Sequence, residues 1–134
     1  MANYVLDKGY IATGATAYQY GELVVPSGTA GTSVARATSA GSALILGVCQ
    51  EDLDTTRLAT GKAVIGVRLM GIARVIAGVN NITYGAALTN DTSARAVLQA
   101  GAVGSGSPSF GRALSPSANV GDQIDVLLTP FGNV

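Results

Sequence analysis

Glycine breaks this 134-residue chain so often that no helix of ordinary length fits between the breaks. Eighteen glycines are spread along it, separated by short runs rich in Val, Ile, Leu, Ala and Thr. Such runs bounded by turn residues read as strands, because interior glycine weakens a helix and marks turns. Candidate strands are Gly9–Thr13, Glu22–Val25, Ser33–Thr38, Ala43–Cys49, Ala63–Met70, Ile72–Ala77, Ala86–Thr89, Arg95–Gln99, Phe110–Leu114 and Gln123–Thr129. Alternation is clearest in the last, where Ile124, Val126 and Leu128 face one way and Gln123 and Asp125 the other. Helical signals are confined to Glu51–Leu58 and to a single turn at Ser115–Asn119, with Ser115 capping and Pro116 at the first position. The class is mainly β with little helix.

The chain also echoes itself. Tyr20-Gly21-Glu22-Leu23-Val24, Ser33-Val34-Ala35-Arg36, Gly47-Val48-Cys49 and Gly61 to Leu69 are followed in the same order by a second set. That set is Tyr84-Gly85-Ala86-Ala87-Leu88, Ser93-Ala94-Arg95-Ala96, Gly111-Arg112-Ala113 and Gly121 to Leu128. Each half reads as one β unit: a strand after a Tyr-Gly turn, a hairpin return, and an alternating strand after a Gly. Two such units, each with an apolar face, are expected to bury those faces against each other as a small sandwich or barrel of short antiparallel strands.

Composition excludes several function classes. Eight basic residues balance eight acidic ones, so there is no broad attraction for nucleic acid or for anionic membranes. The absence of His removes the Ser-His-Asp and Cys-His arrangements and imidazole-based zinc sites within one chain. The one cysteine, Cys49, cannot form an intrachain disulfide; within Ala43–Cys49 it reads as a core thiol in which a serine hydroxyl would lack a partner. A lone thiol fits synthesis in a reducing cytoplasm. No apolar run reaches 18 residues, and Met1–Lys8 lacks the basic and apolar regions of a secretory signal.

Few motifs suggest chemistry. Gly101-Ala102-Val103-Gly104-Ser105-Gly106 lacks the start and the following helix of a dinucleotide loop, and Thr60-Gly61-Lys62-Ala63 lacks the spacing of a P-loop. Glu51-Asp52-Leu53-Asp54 has the carboxylates of a calcium site but not the ligand spacing, and reads as a solvated turn. No catalytic residue, metal ligand or cofactor site emerges. Residues 100–109 form the clearest loop, expected to be flexible, with Pro26–Ser33 a second small-residue stretch. Tyr4, Tyr10, Tyr18 and Tyr20 crowd the first 20 residues, either anchoring the first strands to the core or forming an N-terminal arm that docks on a neighbour.

Several segments together resemble the capsid cement, or head decoration, proteins of tailed bacteriophages. They are Ala2-Asn3-Tyr4-Val5, Gly21 to Val25, Gly71 to Val75, Ile82 to Thr89, Phe110 to Leu114 and Val120 to Leu128. The likeness covers most of the chain and is strongest from Gly71 to Thr129. It implies one β-rich decoration domain over residues 1–134, with an arm and first strand in 1–20. It further implies a non-enzymatic protein that binds the outside of the assembled virion head, commonly as a homotrimer. Its partner would be the major capsid protein, and its site of synthesis the host cytoplasm. The family supplies no site residue by motif; Asn3, Tyr4 and Val5 of the arm are the candidate partner contacts.

The residues themselves leave a second class open, a β-barrel or sandwich binding module for a small apolar ligand or a host surface. Both classes share the alternating final strand. Ile124→Ala is expected to cost about 2–5 kcal/mol and Val126→Ala somewhat less, while Gln123→Ala and Asp125→Ala cost little. Denaturant melts of the four variants check this; equal losses in both pairs would mean that both faces of the strand are buried.

Overall fold

The computed structural model describes residues 5–41, 44–99 and 108–128. Nine strands and one short helix follow in chain order: β1 Leu6–Ala12, β2 Leu23–Ser27, β3 Ser33–Arg36, β4 Gly47–Cys49, α1 Thr55–Leu58, β5 Val64–Ile76, β6 Ala87–Asn90, β7 Ala96–Leu98, β8 Gly111–Ala113 and β9 Gln123–Leu128. The mainly β class read from the sequence holds. Strands β1, β3, β2, β4 and β5 pair in that order, and β1 returns to pair with β5, so the first unit is a closed five-stranded barrel. Strands β5, β9, β8, β6 and β7 continue the sheet, and a parallel bridge between Ala77 and Ala96 brings the last strand back to the end of β5.

The strand that joins the two units is unusual. At 13 residues, β5 is about twice the ordinary strand length. Its first half pairs with β1 and β4 and its second half with β9. Gly71, which looks like a break between two strands in the sequence, takes φ of 99° and lets one strand bend from one unit into the next.

The internal echo is a structural repeat. Gly21 N–H donates to Cys49 O at 2.9 Å, and 64 positions on Gly85 N–H donates to Ala113 O at 2.8 Å. Cys49 N–H to Glu22 O at 2.8 Å is matched by Ala113 N–H to Ala86 O at 2.9 Å, and Leu46 N–H to Val24 O at 2.9 Å by Phe110 N–H to Leu88 O at 3.0 Å. The isolated bridges Tyr18–Leu53 and Ile82–Ser117 stand at the same offset. The parallel pairing of β1 with β3 also recurs as the parallel bridge of Ala77 with Ala96.

The packing differs from the face-to-face arrangement expected. Each unit wraps its own core: Tyr10, Tyr18, Val24, Cys49, Leu53, Ile65 and Val67 fill the first, and Val75, Ile82, Leu88, Ile124 and Val126 fill the second. Leu23, Ala37 and Val48 of the first unit are fully or almost fully buried, yet they join the core of the second. Alternation explains this, since their neighbours Val24 and Cys49 point into the first barrel. The first unit is therefore apolar on both faces of β2 and β4, and the second unit covers the outer one.

Other local expectations also shift. Strand β4 covers only Gly47–Cys49, because Leu44 is 68% exposed and lies outside the sheet. Ser115 caps no helix; its hydroxyl instead accepts the Asp125 N–H of β9 at 3.0 Å. The short helix is real but begins at Thr55, with the Asp54 carboxylate accepting the Arg57 N–H at 2.8 Å as its N-cap. Of the loop expected at 100–109, residues 100–107 lie outside those described, while Ser109 is buried and donates to Gly111 O at 3.0 Å.

One close approach occurs twice. A methyl group on Gly47 would strike the Arg68 carbonyl oxygen, and one on the equivalent Gly111 would strike that of Leu127. Gly66, also in the sheet, has nothing nearer than Gln50 Cβ at 3.9 Å. Gly47→Ala and Gly111→Ala are each expected to cost roughly 3 kcal/mol through forced backbone movement. Gly66→Ala should be neutral or stabilising by up to about 1 kcal/mol. Urea midpoints of the three variants test the equivalence.

Candidate interaction surface

Only part of the arm predicted from the sequence can be placed. Asn3 and Tyr4 lie outside the described residues. Val5 stands just ahead of β1 and is exposed, and it leads into an apolar strip that crosses three strands. Leu6 pairs with Met70, Ile72 follows two residues on along β5, and Leu127 of β9 pairs with Ile72. Leu6, Met70 and Leu127 are 50%, 47% and 42% exposed. An ion pair borders the strip, with Arg68 Nε 2.8 Å from Asp7 Oδ1 and Nη1 bonded to Ile72 O at 3.0 Å. The Arg68 guanidinium lowers the Asp7 pKa.

Two of the four N-terminal tyrosines anchor the first strands to the core. Tyr10 and Tyr18 belong to the first core, and the Tyr18 hydroxyl donates to Thr13 O at 2.6 Å. Lys8 Nζ lies 5.1 Å from the centre of the Tyr10 ring, within cation–π range. Tyr20 sits at the junction of the units. Its repeat counterpart, Tyr84, is 74% exposed.

The carboxylates singled out in the sequence serve the local backbone. Glu51 accepts the Gly66 N–H at 2.9 Å, Asp52 the Tyr20 N–H at 2.8 Å, and Asp54 caps α1. Among the described residues, no three His, Cys, Asp or Glu side chains gather as metal ligands would. No described helix is long and apolar enough to cross a membrane.

Sequence reasoning missed the polar clasp between the units. Glu22, nearly fully buried, receives Arg36 through Nε at 3.2 Å and Nη2 at 2.6 Å, and also accepts the Gln19 N–H at 2.7 Å. Arg36 reaches on to Ser93 O of the second unit at 3.3 Å. A two-pronged, hydrogen-bonded pair is how a buried carboxylate is tolerated. The residues stand 14 apart, and only the pairing of β2 with β3 brings them together.

Beside this clasp an open groove of about 600 Å³ runs between the units. Tyr18, Gln19, Tyr20, Asp52 and Asp54 line it from the first unit, and Ile76, Arg95 and Gln123 from the second. Tyr10, Val24, Ile65 and Val67 pack inside the first barrel, and a smaller pocket of about 270 Å³ opens beside Tyr10, Pro26, Ser33 and Leu46.

No family model and no curated protein matches the sequence. Among solved structures, the chain aligns with the head fiber gp8.5 N base of bacteriophage phi29 at a TM-score of 0.66, covering 98% of each chain. The two proteins share a fold. Sequence identity is 16%, so the likeness assigns no role to any residue of this chain.

Cys49 is a packed thiol, as expected, but with a partner. It donates to Glu51 O at 2.9 Å, and burial raises its pKa from 9.0 to about 11. A serine hydroxyl would find the same acceptor, contrary to the sequence expectation. Because the folded thiol holds its proton more tightly than the unfolded one, stability is complete below pH 9 and falls as pH rises toward 11. The loss is on the order of 2–3 kcal/mol. Cys49→Ala should flatten that decline in melts between pH 9 and 11, leaving the part due to Tyr18, whose pKa burial also raises. An unchanged slope would mean that the thiol is not what titrates.

Proposed function

We propose that this chain is a structural, non-enzymatic protein of a tailed-phage head, seated on the outer surface of the assembled shell and cementing it against heat and internal pressure. The observation that carries this reading is the fold shared, over 98% of both chains, with a protein described as the base of a phage head fiber. The sequence resemblance to head decoration proteins points the same way from different grounds. The partner on this reading is the major capsid protein, bound by a homotrimer through arms that include Asn3, Tyr4 and Val5 and through the apolar strip at Leu6, Met70 and Leu127.

The chemistry of the chain suits such a role. Glu51, Asp52 and Asp54 are engaged by backbone N–H groups, and the thiol is held protonated near neutrality. Cementing follows from linkage. A protein that binds the lattice but not free subunits stabilises it by about 2.7 kcal/mol per site at a hundredfold excess over Kd. Three arms on one trimer add avidity without a tight single site.

Heads lacking the protein should release DNA at lower temperature than heads saturated with it, as read by dye accessibility during heating. Removing residues 1–5 should weaken attachment while leaving the melting of the free protein unchanged. The cut stops there because Leu6 and Asp7 already belong to β1. Identical release curves at full occupancy would end the cementing reading.

A further inference from the structure

The groove lies where a turn of the first unit meets the second. In the first unit the Tyr20-Gly21 turn tucks against the second, where Gly21 O accepts the Ile76 N–H at 3.1 Å. The equivalent Tyr84-Gly85 turn is exposed, with open space around Gly85. Docking of the two units creates a concave, polar-rimmed surface that neither has alone.

Four backbone N–H groups bordering this groove are already engaged. Gln19 N–H goes to Glu22, Tyr20 N–H goes to Asp52, and Tyr18 and Leu53 bond each other in both directions. An extended peptide would therefore find these four donors taken. Side chains supply the hydrogen-bonding capacity that remains. Asp52 and Asp54 each spend one carboxylate oxygen on the backbone and keep a second. Gln19 and Gln123 bring amides, and Tyr20 brings a ring and a hydroxyl. The Arg95 guanidinium lines the groove with no hydrogen-bond or ion-pair partner among the described residues.

We infer that this groove binds a neutral hexose saccharide. Carboxylates accept from pairs of neighbouring hydroxyls, amides both donate and accept, and a guanidinium donates to ring and hydroxyl oxygens. An aromatic ring offers a face to the C–H side of a sugar. Two carboxylates against one guanidinium disfavour a polyanion, which excludes nucleic acid and sulfated chains as the preferred ligand. On a virion surface such a site would hold the particle at a cell-wall or capsular polysaccharide, but the assignment needs no capsid and is tested without one.

The purified protein, free of heads, would be applied to a microarray of bacterial surface polysaccharides together with heparin and an acidic peptide. A retained neutral glycan would then be titrated by calorimetry. Binding to at least one neutral hexose glycan is expected, with Arg95→Ala and Gln123→Ala each weakening it about tenfold, or ~1.4 kcal/mol. Both side chains can be removed without touching a core, and Arg57→Ala, outside the groove, should change nothing. Retention of no neutral glycan, binding that survives both groove variants, or binding only to heparin or to the peptide would overturn the assignment. None of these results bears on whether the protein stabilises heads.

Discussion

Strand β5 is the constraint on which the rest of the structure depends. It closes the first barrel through β1 and β4, then bends at Gly71 and becomes the founding strand of the second unit. Neither unit can be detached without taking away a strand of the other. The side chains enforce the same union, because Leu23 and Val48 on the outer face of the first barrel are fully buried only where the second unit covers them. At about 25 cal/mol per Å² of apolar surface, two aliphatic side chains covered in this way contribute a few kcal/mol, a large share of a typical folding free energy. The clasp of Glu22 and Arg36, reaching Ser93, fixes the docking angle with polar groups that must be paired.

Much of this was legible in the sequence because strands announce themselves by alternation and by the turns that bound them. Gln123–Leu128 has the facing predicted for it, with Ile124 and Val126 buried. The repeat could be read from the Tyr-Gly and Gly-Val-Cys echoes because each falls where the backbone makes the same hydrogen bond in both units. What could not be read has identifiable causes. Gly71 looks like a chain break, and only its neighbours' pairing with β1 and β9 shows that the strand runs through. The run from Ala43 to Cys49 is apolar throughout, yet Leu44 is exposed, since apolar character alone does not say where a short strand begins. Glu22 and Arg36 are ordinary charges until β2 pairs with β3. The groove is a product of docking two units, and no local pattern encodes it.

The two units also differ in what they do with equivalent positions. Cys49 and Ala113 occupy the same place in the hydrogen-bond pattern, as do Leu46 and Phe110. Interior positions stay apolar in both but differ in size, as with the partly buried Leu46 and the buried Phe110. The same residue type is placed differently in the two units: Tyr20 lines the groove at the junction, and Tyr84 projects into solvent. The repeat supplies a common scaffold, and the two units differ in the side chains they carry on it.

The order of the elements has a consequence for biogenesis. All five strands of the first barrel lie before residue 77, so this barrel can close on the ribosome while β6 to β9 are still being made. Until they emerge, Leu23, Ala37 and Val48 face water. A nascent chain paused at that length carries a greasy flank designed for its own second half. The interval between closing the first barrel and completing β9 is the window in which a chaperone, or another nascent copy, would find it.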